Sequence, residues 1–295
     1  MTAKDPQGLL PYDGPATEHR PNAKRRWYGR DNLKHATRYQ ELYGNAEVPA
    51  RFRPDGDWVY SFNSLGFRGP EFDPAADIRI FTVGCSYTLG VGVSFVQSWP
   101  AIIARKLRNV IPNKSVSVVN FSIGAASNDY IARMALSQCA RVKPDIMLIQ
   151  FTHTMREEYI DERNVSEHFG PWSGSEHSDA FLFYYSEELG LVDSIKNMLL
   201  VDYYCRLHEI PLIYTFAEHR KLLEDRFLNN AICGPYMAML DSPAFHRISI
   251  LDQGIFIDSA RDCAHPGPKS HELFARKIMA AYRAAWLGPG RNSDN

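Results

Sequence analysis

The sequence contains no apolar run approaching the roughly 20 residues that a membrane-spanning helix needs, so no membrane span is expected. Neither sign of charge dominates: the formal net charge is −1 over 295 residues. The one dense basic cluster, KRRWYGR at 24–30, is too short and isolated to form a nucleic-acid surface, and it reads as a solvated face or a packing arginine. Cysteine is sparse, with five scattered residues and no CxxC pair, which excludes both a disulfide framework and a structural zinc site. The N-terminal MTAKDPQGLLPYDGPATEHR lacks a basic stretch leading into an apolar one, so no signal peptide is visible and a cytoplasmic setting is expected. No internal repeat or low-complexity segment is present either.

What remains is ordinary globular composition, 45% hydrophobic and 23% charged, in a chain long enough for one large α/β domain with insertions. Residues 1–57 read as an N-terminal arm with a short helix near 31–43, and an arm of this kind is one route to a homo-oligomer. WVYSF at 58–62 reads as a strand ending in a turn at 63–66. From 78 onward strand and helix patterns alternate. The expected strands are 78–84, 116–122, 145–151, 210–216 and 247–251; the expected helices are 98–111, 127–142, 194–209 and 270–286. Ser98 is a candidate N-cap with Pro100 in the first turn, and Ser127 or Asn128 caps the next helix. This alternation calls for a mostly parallel sheet covered on both faces. The polar and aromatic stretch 153–185 is too long for a simple connection and reads as an insertion or lid, at about 153–190 of a 58–290 domain.

In parallel sheets of this kind, active sites gather at the carboxyl ends of the strands. That rule selects Gly84, Cys85 and Ser86, then Ser122 and Gly124, then Thr152, His153 and Thr154, and last the region 258–265. DCAHPG at 262–267 places Asp262 and His265 three residues apart, where the carboxylate can accept the imidazole Nδ1–H and leave Nε2 as a base for a hydroxyl. With Ser86 at a strand end, these three residues form a candidate nucleophilic constellation.

VGCSYTLG after a buried strand, NFSIGAAS after the second strand and DCAHP before the last helix together resemble the SGNH/GDSL hydrolase superfamily of serine esterases and lipases. NSLGFRGPE upstream is similar to a segment found in some bacterial members. The resemblance covers roughly 60–290. It implies a three-layer α/β/α sandwich, flavodoxin-like, with a mostly parallel five-stranded sheet. It further implies cleavage of a carboxylic ester, with Ser86 as nucleophile, His265 as base and then acid, and Asp262 as the orienting carboxylate. The backbone N–H groups of Ser86 and Gly124 would help to form the oxyanion hole. The implied substrate is a small-molecule ester or acylated compound, and no cofactor is implied.

Two positions depart from that pattern. Cys85 stands where the family has aspartate, and FTHTMREEY after the third strand lacks the family's asparagine block. Thr154 or His153 falls near the missing side-chain donor, and a hydroxyl or an imidazole N–H can donate in its place; Asn128 is a further candidate. The same catalytic parts would serve an acyltransferase if a lid kept water from the acyl-enzyme, and a silent binding domain is the third reading.

Other residues carry a bland alternative. Cys85 and Cys263 read as small buried fillers. Tyr87, Arg156 and Glu218 are expected to touch substrate, although Arg156 and Arg68 could equally form ordinary salt bridges, and His219 follows Glu218. Phe169, Trp172, Phe181, Phe183, Tyr184 and Tyr185 could line a pocket or simply bury the insertion. His153, Glu157 and Glu158 offer too few ligands for a metal, and none is expected.

Overall fold

The structure is a computed structural model; it describes residues 20–43, 58–162, 166–171, 176–218, 226–227, 229–240 and 245–283. Its centre is a parallel five-stranded sheet in the order β4-β3-β5-β8-β9. The strands are β3 (Ile78–Val83), β4 (Val116–Asn120), β5 (Ile146–Phe151), β8 (Leu212–Phe216) and β9 (Phe245–Ser249). β3, β4, β5 and β8 are buried on both faces, apart from the first two residues of β3, which is why they read as continuous apolar runs without alternation.

Side-chain parity then separates two cores. On one face Ile80, Val118, Leu148 and Ile213 meet α3 (Trp99–Val110) and α8 (Pro268–Tyr282) through Ile102, Ile103, Phe274 and Ile278. On the other, Phe81, Val119, Ile149 and Tyr214 meet α4 (Asn128–Val142) and α6 (Glu187–Leu207) through Ile131, Met134, Ile195 and Met198. Each such buried side chain contributes about 1.5–3 kcal/mol. The expected α/β/α layering is therefore observed.

Helix ends follow local chemistry. Ser127 Oγ accepts the Tyr130 N–H and caps α4, so Asn128 lies inside the helix. Ser186 caps α6 in the same way through the Leu189 N–H, which starts that helix at Glu187 instead of the expected 194. Ser98 occupies the extended N-cap position of α3, with Pro100 in the first turn, but its hydroxyl makes no capping bond: it donates back to the Phe95 carbonyl, and the Trp99 N–H is donated to His271 Nδ1 at 3.2 Å.

The insertion forms an antiparallel hairpin, β6 (Glu157–Ile160) with β7 (Ser166–Phe169), followed by α5 (Glu176–Tyr184). A short α7 (Gly234–Met239) follows β8. The described part of the N-terminal region, expected as an arm, is built into the body. β1 (Lys24–Arg25) pairs with β2 (Tyr60–Ser61), which is all that forms of the expected strand 58–62, and α1 (Leu33–Tyr43) follows. Tyr28, Tyr60, Phe62, Leu89 and Val91 form a small core of their own there. Among the described residues, no helix is long and apolar enough to cross a membrane.

Candidate active site

β3 ends one residue before Gly84, and the chain turns at once into the single-turn helix α2 (Ser86–Leu89). Cys85 is the extended residue before it (φ −94°, ψ −157°) and is fully buried in the core on the α4 side. Adjacent side chains point apart, so the thiol is walled in where Ser86 opens the helix. As the first helical residue, Ser86 has no intrahelical acceptor for its N–H, and no acceptor for it is present among the described residues. A buried polar layer lies beneath α2. Thr88 Oγ1 donates to Gln150 Oε1 (2.8 Å), and Asn120 Nδ2 donates to the Thr88 carbonyl (3.0 Å). Helix α2 ends at Gly90 in the left-handed conformation (φ 79°).

Before α8, Asp262 folds the chain into a tight turn around its own carboxylate. Oδ1 accepts the N–H groups of Ala264 (3.1 Å) and His265 (2.9 Å), and Oδ2 meets His265 Nδ1. Cys263, left-handed at φ 58°, makes that turn. Burial alone would raise the Asp262 carboxyl, but the hydrogen bonds and charge of His265, with the backbone donors, hold it below its ordinary value. The Asp262 turn lies against the loop after α2: a Cβ on Gly92 would come 2.6 Å from Ala260 Cβ and 3.3 Å from Asp262 Oδ1. Tyr87, next to Ser86, sets its ring edgewise against His265, with centroids 5.3 Å apart. Its phenol is pushed up to about 12, chiefly by burial and then by Cys85; Glu218 and Asp262 raise it further against the opposing pull of Arg156.

The donors expected after the second and third strands are arranged differently. The Gly124 N–H is donated to Tyr28 Oη at 3.0 Å, so the N-terminal region already occupies it. The next residue, Ala125, is left-handed (φ 61°), and its N–H meets no acceptor among the described residues. The Asn128 carboxamide is engaged on both sides: Oδ1 accepts the Thr152 N–H (2.8 Å), while Nδ2 donates to the Thr152 carbonyl (3.2 Å) and to Ser194 Oγ (2.9 Å). Asn128 therefore pins the end of β5. Thr154 is tied to the Tyr185 hydroxyl under the insertion. His153 Nδ1 hydrogen-bonds to Glu218 Oε2 at 2.8 Å, joining the ends of β5 and β8.

Arg156 lies near Tyr87 and donates weakly to the Ala126 carbonyl (3.4 Å). Arg68 is fully buried and caps the Leu89, Gly90 and Val93 carbonyls, so it is not placed to hold a substrate carboxylate. Phe169 and Phe181 are buried, whereas Phe183 is 94% exposed and Tyr184 is also exposed. His219 and Trp172 lie outside the described residues. Sequence reasoning missed Tyr28, Asp31 and Arg261. The signals available were the YGRD turn at 28–31 and an arginine directly before Asp262.

No protein-family model matches the sequence, and no curated protein matches it significantly. Among solved structures the chain is similar to TesA, with 13% identity and a TM-score of 0.45 over 70% of this chain and 99% of that one. It is also similar to the psychrotrophic esterase EstA from a Pseudoalteromonas species, inhibited by monoethylphosphonate (11%, 0.41, 72% and 99%). A third similar structure is a member of the lipolytic protein G-D-S-L family from Veillonella parvula (15%, 0.36, 69% and 97%). Identities this low say nothing of which side chains react.

Proposed function

We propose that this protein hydrolyses small carboxylic esters through an acyl-enzyme on Ser86. The observation that carries the reading is the buried Asp262 carboxylate fixing His265 Nδ1, on a turn packed against the loop that follows Ser86. With Nδ1–H held by Asp262, Nε2 is the imidazole's basic atom. It takes the Ser86 hydroxyl proton as Oγ attacks the ester carbonyl, then gives that proton to the departing alcohol. Water enters by the reverse sequence: Nε2 takes its proton, and Ser86 Oγ leaves with it.

The developing oxyanion is met by two backbone donors, the N–H of Ser86 at the start of α2 and the N–H of Ala125 in its left-handed turn. Ala125 takes the part expected of Gly124, whose N–H is held by Tyr28. The third donor is His153 Nε2, with Glu218 on the opposite ring nitrogen. Loss of one such donor costs about 3–4 kcal/mol of transition-state stabilisation.

Hydrolysis of p-nitrophenyl acetate by wild type and Ser86→Ala, with fluorophosphonate labelling of the serine, tests the reading. The substitution is expected to lower kcat by about 10⁴-fold or more and to abolish labelling. Equal rates in the two proteins would overturn it.

A further inference from the structure

The N-terminal region reaches the site through one carboxylate. Asp31 is fully buried, and Arg261 meets it in a bidentate pair, Nε to Oδ1 at 2.6 Å and Nη2 to Oδ2 at 2.7 Å. Arg261 is the residue directly before Asp262. Its guanidinium is stacked on Trp58 (3.8 Å) and Trp27 (4.5 Å), and Nη2 also donates to the Arg26 carbonyl (2.7 Å). Asp31 Oδ2 accepts a second bond, from the Tyr60 hydroxyl, and Tyr60 Oη in turn accepts the Gly92 N–H at 2.8 Å. Gly92 belongs to the loop after α2, and its carbonyl receives the Arg261 N–H at 3.3 Å. Arg68, lying over the Tyr60 ring at 4.2 Å, fastens the rest of that loop through three carbonyls.

One carboxylate therefore holds two loops: the one that follows the nucleophile and the one that carries the acid and base. We infer that Asp31 is a positioning residue that sets the spacing between Ser86 and His265, acting through Arg261 on one side and Tyr60 on the other. This rests on the ester-hydrolase reading of the same site. The physical reason is the cost of an unpartnered guanidinium in a dry interior. With Asp31 neutral, Arg261 loses its charge partner and is drawn toward water. The Asp262 turn is attached to it by a single peptide bond. A lysine could not replace either arginine, since each uses several N–H groups of one planar fork.

Asp31→Asn and Tyr60→Phe test the inference in the full-length chain. Three readouts are needed: kcat and KM per fluorophosphonate-reactive Ser86, thermal stability, and the NMR resonance of the His265 Nδ1 proton, which reports its bond to Asp262. Asp31→Asn is expected to lower kcat by about 10–100-fold with KM within about twofold, as for a misplacement of about 1 Å. It is also expected to move that proton resonance upfield, because the bond to Asp262 loosens when its turn shifts. Tyr60→Phe keeps the Arg261 pair but frees Gly92, and a smaller loss of about 3–10-fold follows from one neutral hydrogen bond. Unchanged kcat per reactive Ser86 and an unchanged His265 Nδ1 proton resonance in both variants, even with a lower Tm, would overturn the inference. If Asp31→Asn does not fold, Tyr60→Phe decides by the same criteria. A wild type that neither hydrolyses esters nor labels would remove the hydrolase reading alone, and the His265 Nδ1 proton resonance would still uphold or overturn the coupling.

Discussion

Gly84→Ala places one methyl group beneath Ser86. The new Cβ would overlap Thr88 Oγ1 outright and would lie 2.9 Å from Thr88 Cβ and 3.1 Å from the Gln150 carbonyl oxygen. The Gln150 carbonyl is fixed in β5, and Thr88 is β-branched within α2, so a simple side-chain rotation gives little relief. Thr88 and Gln150 are both fully buried. Overpacking at such a point costs about 1–3 kcal/mol. Breaking the Thr88 to Gln150 bond strands a buried carboxamide oxygen and costs a further ~1–3 kcal/mol. The combined loss of about 2–6 kcal/mol lowers Tm by roughly 5–20 °C in a chain of this size. Because Thr88 lies half a turn from Ser86, α2 shifts with it, and kcat falls by about 100-fold for a displacement near 1 Å. Thermal melts and p-nitrophenyl acetate kinetics read both effects. Adding Thr88→Ala makes room for the methyl group, so the double variant should lose less than the sum of the singles. A Gly84→Ala protein with Tm within about 2 °C and kcat within about threefold of wild type would refute the claim that this contact seats Ser86.

Two shorter predictions follow from other parts of the molecule. Burial first, and then the neighbouring Asp129 carboxylate, push the Glu157 carboxyl up to about 8, against 4.5 in the unfolded chain. Its contribution to stability is therefore complete below about pH 4.5, and it is lost as pH rises through about 8. Glu157→Gln should match the wild-type Tm at pH 5 and exceed it at pH 9 by about 2 °C, a modest figure because the group is partly solvated; equal melts at both pH values would refute the raised Glu157 carboxyl. Ala125→Gly relieves a left-handed alanine and should raise Tm by about 1–3 °C; a lower Tm would show that the turn holds no strain.

How legible each part was depended on whether its cause is local. β3, β4, β5 and β8 stood out because burial on both faces needs unbroken apolar runs, and α3 and α4 because one stripe of each must face the sheet. The start of α6 was misplaced by seven residues, since its signal is a polar cap at Ser186 and acidic residues in the first turn, not an apolar stripe. Residue types at Ser86, Asp262 and His265 carried the chemical reading because each sits beside a strand end or within a three-residue spacing. The Asp31 pair was out of reach: its two members are 230 residues apart, and buried charges leave no periodic trace. Gly124 failed for a similar reason, since nothing near it announces that Tyr28 will take its N–H.

The proposed site holds two histidine and carboxylate pairs, and their surroundings suit them to different work. Asp262 is fully buried, accepts two backbone N–H groups besides His265, and sits on the turn that Arg261 and Gly92 hold against the loop after Ser86. An imidazole fixed this way is suited to moving a proton to and from one hydroxyl without reorganisation. His153 and Glu218 instead join the ends of two strands through one bond, and both side chains keep partial exposure. That linkage orients a ring but does not tie it to the nucleophile loop, which suits a donor to the oxyanion better than a base. The two roles then make opposite demands. His265 must be neutral at Nε2 to accept the serine proton, whereas His153, with Nδ1–H held by Glu218, donates from Nε2 only when that nitrogen also carries a proton. Under the proposed mechanism one ring therefore works through a bare Nε2 and the other through an Nε2–H, so the two histidines cannot exchange roles.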